Sequence, residues 1–244
     1  MHFFKNFPKV TYKFGTEAST VAFSDLTAYV DIIDQIKDEI GFYTYYEIYE
    51  GERPDHISSR FYNTPNYYWT FYLLNDKLRD QGWPLSNTQI LAKANREYPD
   101  IVLTTRTNIS ADTNLVVGGV IEGGTSGTIG TVIHRDINLG QITVRSDNTW
   151  QAGESIIFRS TGGTIITVCT LHASSKEINA THHYVDGNED YADIDPLSGP
   201  GAGITPVTNL DFLYNENDKL KSIKVIKPAI INDVVSSFKN ALKA

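Results

Sequence analysis

The run Tyr45-Tyr-Glu-Ile-Tyr-Glu-Gly-Glu-Arg-Pro-Asp-His-Ile-Ser-Ser-Arg-Phe-Tyr-Asn-Thr-Pro-Asn-Tyr-Tyr-Trp69 decides how the chain is read. Around its start, Tyr43, Tyr45, Glu47 and Tyr49 recur at every second position, the period of a strand. Gly51-Glu-Arg-Pro54 follows, where glycine permits a turn and Pro54 opens a helix without losing a useful donor. Ile57, Phe61 and Tyr62 line one short helical face, Asn63-Thr-Pro65-Asn66 breaks it, and Tyr67 to Leu74 makes a second aromatic helix ending at Asn75. Gly82-Trp-Pro84-Leu85 reads as the return stretch, so the pattern predicts a βααβ unit. Phe42, Tyr43, Tyr45, Tyr46 and Tyr49 place rings on both faces of the strand. A cluster this dense is hard to bury whole, and one face is expected to meet another protein or a sugar.

Outward from this kernel the period changes. Phe3, Phe4 and Phe7 precede Pro8, and Val10, Tyr12 and Phe14 then alternate as an extended arm up to Gly15. From Ser24, Leu26, Tyr29, Val30, Ile33, Ile36 and Ile40 recur at helical spacing until Gly41 stops them. Ser86 with Gln89 forms a capping-box pattern, and Ile90, Leu91, Ala94 and Tyr98 continue a helix from it. Beyond residue 100 the composition shifts: ten of the eighteen glycines lie between Gly118 and Gly163. Short β-branched runs separate them at Leu115 to Ile121, Thr128 to His134, Gln141 to Arg145, Glu154 to Ser160 and Thr164 to Leu171. Five strands with glycine turns predict an inserted antiparallel sandwich or barrel.

The expected fold class is α+β. An amino-terminal arm and helix (1–41) precede a βααβ domain with its following helix (42–100). The glycine-rich β domain (101–195) interrupts the chain, and a linker with a carboxyl-terminal arm and helix (196–244) completes it. In that tail Ile223 and Val225 flank Lys224 on a strand suited to adding onto a partner's sheet, and Ile231, Val234, Val235, Phe238 and Leu242 form a helical stripe that must dock.

Composition narrows the function. With 21 basic and 29 acidic residues the net charge is −8, which argues against a grip on nucleic acid phosphates. A chain of 244 residues buries roughly 70 to 75% of its unfolded surface, so no disulfide or structural metal is required. Cys169, the single cysteine, has no intrachain partner. No signal-peptide core and no membrane-length apolar run occur, so cytosolic synthesis without export is expected.

Tests for catalytic and ligand chemistry give no positive pattern. Gly123-Gly-Thr-Ser-Gly127 places serine off the position a nucleophile elbow demands and reads as a hairpin turn. Gly199-Pro-Gly-Ala-Gly203 lacks the lysine of a phosphate loop and reads as a linker. Asp186-Gly-Asn-Glu-Asp190 with Asp193 and Asp195 is rich in oxygen donors, but its glycine comes too early for a calcium-binding helix-loop-helix and the terminal glutamate is missing. His182 and His183, adjacent on a strand, should point to opposite faces and form no zinc pair. No catalytic residue, cofactor or metal ligand is therefore expected.

The quoted run, with Leu74-Asn75-Asp76 and Gly82-Trp83, resembles the LysM-like segment of the baseplate wedge subunit of T-even-type contractile-tailed bacteriophages. Leu220-Lys-Ser-Ile-Lys-Val-Ile-Lys227 and the helix after it resemble that subunit's carboxyl-terminal arm, while the middle of the chain has no counterpart there. The resemblance implies a non-enzymatic virion protein that clamps neighbouring wedges in the inner baseplate ring. Its implied partners are the helical-bundle wedge subunits, the sheath-initiating subunit and adjacent wedges, with no nucleic acid and no membrane. The implied location is the tail baseplate, reached from the host cytoplasm during assembly. Candidate contact residues are Phe3, Phe4, Phe7, Tyr43, Tyr45, Tyr49, Ile223, Lys224, Val225 and Phe238. The rival is a LysM-type module that binds peptidoglycan or N-acetylglucosamine polymers by stacking tyrosines on sugar rings.

Overall fold

A computed structural model describes residues 7–16, 19–25, 39–110, 112, 114–160 and 163–242. Phe3, Phe4 and most of the helix expected between Ser24 and Gly41 lie outside these residues. The chain forms two compact units, one of Met1–Ser86 with Glu216–Ala244 and the other of Asn87–Asn215. The breaks differ from the expected ones: the helix after Ser86 and the stretch from 196 to 215 both belong with the glycine-rich middle.

The first unit opens with a hairpin where a single extended arm was expected. Strand β1 (Lys9–Tyr12) pairs antiparallel with β2 (Val21–Ser24), from Lys9 opposite Ser24 to Tyr12 opposite Val21. Phe14 packs edge-on against Tyr12 and Phe23 at 5.0 and 5.8 Å, so the arm's own aromatic residues close the turn. Strand β3 (Tyr43–Glu47) then leads to helix α1 (Pro54–Tyr62), whose first residue is the proline that needs no donor. Asn63 ends α1 at φ 55°, and a 3-10 turn over Pro65–Tyr67 passes the chain into α2 (Trp69–Leu74) and α3 (Asp76–Gln81).

In the second unit, α4 (Asn87–Glu97) buries Ile90 and Ala94 and precedes six antiparallel strands. These are β4 (Ile101–Thr105), β5 (Val120–Gly123), β6 (Ile129–Asp136), β7 (Gln141–Arg145), β8 (Ser155–Arg159) and β9 (Ile165–Lys176). They close as a barrel in the order β4-β7-β6-β5-β8-β9, with β9 pairing back onto β4. Five strands alone would have left two edges; β4, whose short run Ile-Val-Leu-Thr-Thr sits at the expected domain boundary, is the sixth that removes them. Leu103, Ile121, Val132, Ile142, Val144, Ile156 and Leu171 fill the interior with Leu115 and Trp150.

One polar anchor lies among the barrel's buried residues. Glu154 accepts N–H bonds from Thr125, Ser126 and Gln151 at 3.2, 2.8 and 2.7 Å and the Ser126 hydroxyl at 3.0 Å. The Gly-Gly-Thr-Ser-Gly turn is thus wrapped around a carboxylate, and at Gly123 a Cβ would stand 2.5 Å from Glu154 Oε2. Burial pushes this carboxyl upward, but the converging donors outweigh it and hold the group below the usual carboxylate range. Cys169 is buried in the same core, and desolvation pushes its thiol up to about 11, so it acts as a small apolar filler.

Strands β10 (Thr181–Val185), β11 (Tyr191–Ala192) and β12 (Thr205–Thr208) form a second sheet in the order β11-β10-β12. Helix α5 (Asn209–Asp218) starts from a reciprocal cap in which Thr208 and Asp211 exchange side-chain and backbone bonds. The segment expected as a linker is a folded turn, with Gly199 bridged to Asp195 beneath the Arg106 guanidinium.

The chain then returns to the first unit as β13 (Ser222–Ile226) and α6 (Ile231–Ala241). Strand β13 pairs antiparallel with β3, Ser222 opposite Glu47 and Ile226 opposite Tyr43. The strand–helix–helix order holds up to Gln81, but the strand that pairs with β3 comes from the tail rather than from Gly82–Leu85. That stretch is held by Asn217, whose amide accepts the Leu85 N–H at 2.7 Å and donates to the Leu85 carbonyl at 3.1 Å. The ribbon has two buried faces. Ile48, Ile223 and Val225 meet Ile57, Phe71 and Leu78, while Tyr43 and Ile226 meet Trp69, Leu73, Phe7 and the α6 stripe through Phe238.

Replacing Glu154 by Ala takes the shared acceptor from three turn N–H groups, and a loss of about 3 kcal/mol in the second unit is expected from urea denaturation. In the wild-type chain the same carboxylate's contribution is complete above the ordinary carboxylate range and is lost as pH falls through its depressed folded value. Glu154→Ala should therefore flatten the acid limb of the stability curve.

Candidate functional site

Alternation along β3 decides which of its groups are available. Lys227 N–H reaches the Phe42 carbonyl and Ile48 N–H reaches the Lys221 carbonyl, both at 2.9 Å. Residues 42, 44, 46 and 48 are therefore the ones bonded across the ladder, and Tyr43, Tyr45 and Glu47 turn their N–H and C=O groups the other way. The ring of Tyr43 is buried, covered by the Lys224 ammonium 4.5 Å from its centroid and by the edge of Tyr45 at 5.6 Å. Tyr45 and Tyr49 are 62% and 68% exposed, a surface for large rings that only a partner would dry.

The loop after β3 is held in place by a polar network. Tyr46 donates its hydroxyl to Glu52 at 2.7 Å and receives an Arg60 N–H at 2.6 Å, Arg60 also pairs with Glu52, and Trp83 Nε1 donates to the Glu52 carbonyl at 2.7 Å. Burial, reinforced by the Glu52 carboxylate, pushes the Tyr46 phenol up to about 12, so it stays a donor. Tyr49 thus projects from a braced loop.

The opposite edge of the ribbon is closed. Asn75 Oδ1 accepts the Lys224 N–H at 2.8 Å while Nδ2 donates to the Lys224 carbonyl at 2.9 Å and to that of Phe71 at 2.8 Å. Tyr62 donates its hydroxyl to the Ile226 carbonyl at 2.9 Å. A side-chain amide and a phenol occupy the positions a further strand would take. This corrects the expectation that Ile223, Lys224 and Val225 add onto a partner: their strand is spent on β3, and Ile223 and Val225 are 1% and 0% exposed. Phe7, Tyr43 and Phe238 are likewise core residues, the last with its ring 4.9 Å from that of Trp69. Of the sequence-derived contact residues within the described set, Tyr45 and Tyr49 are each exposed, Tyr45 against the ring of Tyr43 and Tyr49 against that of Tyr46, and Lys224 is partly exposed.

Beside Asn75 runs a groove of about 360 Å³ between Leu74–Leu78 and the Lys219–Lys224 stretch. No aromatic ring lines it. The groove therefore offers no ring on which the apolar face of a pyranose could stack, and the Asn75 amide that could orient hydroxyls is already committed to backbone.

In the second unit the two histidines depart from the expected alternation. A bulge between Thr181 and His183 brings the imidazoles together, with Nδ1 atoms 2.9 Å apart. His182 stacks on Phe212 at 4.0 Å, and His183 lies over Tyr191 at 6.0 Å. The acidic loop is a hairpin turn in which Asp186 accepts the N–H groups of Asn188 and Asp190, at 2.8 and 3.1 Å. Among the described residues no three His, Cys, Asp or Glu side chains gather as metal ligands would, and no helix is long and apolar enough to cross a membrane.

Two imidazoles this close share one hydrogen bond only while at least one is unprotonated on the facing nitrogen. Burial and the neighbouring His183 lower the His182 pKa below its usual 6.5. The unfolded chain then takes up a proton that the fold refuses, so stability is complete above the ordinary histidine range and falls as pH drops below it. His182→Gln should weaken this slope in urea midpoints measured from about pH 7 to about pH 5. In comparisons with known proteins, no family model matches the chain and no curated protein is significantly similar to it.

Proposed function

We propose that the chain is a structural component of a phage tail baseplate wedge that clamps neighbouring wedges together in the inner baseplate ring. Its work is adhesion, without turnover, and its place is the virion after assembly in the host cytoplasm. The partners are the helical-bundle wedge subunits, the sheath-initiating subunit and adjacent wedges. The reading draws on the resemblance carried by Tyr45 to Trp69 and Leu220 to Lys227. The observation that carries it is the pair of exposed rings, Tyr45 and Tyr49, on a strand and loop that are fixed from beneath. Rigid aromatic anchors cost little entropy to dock, and such residues dominate the energetics of protein interfaces. A cyclic assembly needs separate patches facing each neighbour.

Glycan binding is the second reading, and the same two tyrosines favour it, since they could stack on sugar faces. The ringless groove beside Asn75 weighs against it. The intact chain is expected to be retained by isolated wedge proteins and to pass through a peptidoglycan resin. Tyr45→Ala and Tyr49→Ala should each weaken wedge binding about tenfold, the usual cost of losing an interface tyrosine. Saturable retention by peptidoglycan with none by wedge proteins would reverse the choice.

A further inference from the structure

The two edges of the β3/β13 ribbon are not equivalent. On the β13 side Asn75 and Tyr62 satisfy Lys224 and Ile226. On the β3 side, Tyr43, Tyr45 and Glu47 turn their N–H and C=O groups outward, and among the described residues none of these has a hydrogen-bond partner; Tyr43 is buried, so Tyr45 and Glu47 are the open positions. An unpaired row of this kind is a template for one more strand. Unlike many edges it carries no proline, lysine or bulge to blunt it.

The charge along the open strand selects the occupant, the one cation on the adjoining strand, Lys224, being drawn over the Tyr43 ring. From Glu39 to Glu52 the chain holds four glutamates and no lysine or arginine. Glu52 is taken by Arg60, whereas Glu39 and Glu47 are exposed and in no ion pair among the described residues. A second copy of β3 would bring like charges together in a chain of net charge −8. We propose that β3 is a β-augmentation site for an extended, lysine- or arginine-bearing segment of another protein, with backbone bonds at Tyr45 and Glu47 and a basic side chain at Glu47. The inference narrows the adhesive reading above, on which it rests, to a defined edge and a defined peptide chemistry.

Amide hydrogen exchange on the intact chain tests it residue by residue. In the free protein the amides of Thr44, Tyr46 and Ile48 should exchange slowly and those of Tyr45 and Glu47 fast. Adding acetyl-Lys-Val-Thr-Val-Lys-amide at about 2 mM should slow the second set about tenfold, and the Glu-Val-Thr-Val-Glu counterpart should do so far less at low salt. Tyr45→Pro removes an outward N–H without taking a ladder bond from β13, so it should abolish this protection while Thr44 and Tyr46 stay slow. Should that variant fail to fold, Glu47→Lys serves instead and should reverse the preference between the two peptides. No protection by the basic peptide would overturn the proposal, as would protection in the protein alone that grows with its own concentration. If the basic peptide protects the edge but wedge proteins do not bind, the baseplate reading falls while the edge stands.

Discussion

The pairing of β3 with β13, clasped from the far side by Asn75, is the constraint on which the first unit depends. Its strands are joined by their backbone ladder, and the outer edge of β13 is held by the Asn75 amide, whose partner Lys224 lies 149 positions later in the chain. Without that closure the two faces of the ribbon would have no common backbone to pack on. The hydrophobic burial of Ile223, Val225 and Ile226 supplies most of the attraction, roughly 1.5 to 3 kcal/mol for each fully buried side chain. The clasp adds direction: it sets where the ribbon ends and which edge stays open. Asn217 repeats the device on Leu85, so two side-chain amides stand in for missing strands.

The local pattern between Tyr43 and Asn75 was legible because strand alternation, a proline-started helix and a helix-breaking turn are all written in adjacent residues. The closing strand was not, since Leu220 to Lys227 shows its β pattern but nothing in it names its partner. Gly82–Leu85 was nearer in sequence and took the role by default. The barrel was legible as glycine turns between β-branched runs, and β4 escaped because its five residues lie at the change in composition. The expected opposition of His182 and His183 failed through a bulge, an event that leaves no mark in the alternation of residue types.

The candidate contact residues divide in the same way. Phe7, Tyr43, Ile223, Val225 and Phe238 are aromatic or β-branched and lie near the chain ends or on the aromatic strand, and those properties serve a core as well as an interface. What separates Tyr45 from Tyr43 is that β13 brings α6 over one end of the ribbon and leaves the other end bare, a fact of tertiary packing. Glu52 and Arg60 read as ordinary surface charges, yet with Tyr46 and Trp83 they brace the loop that presents Tyr49.

Because β13 follows the barrel in the chain, the units cannot mature in the order their first residues leave the ribosome. The middle unit has all its strands once Thr208 has emerged, whereas β3 must wait with its row of rings until Ser222–Ile226 is made. A copy cut short after the barrel would carry a finished β domain beside an unclosed kernel. Synthesis thus delays closure of the first unit, and a copy that stops before Ser222–Ile226 leaves both edges of β3 unpaired and the apolar side chains around it uncovered.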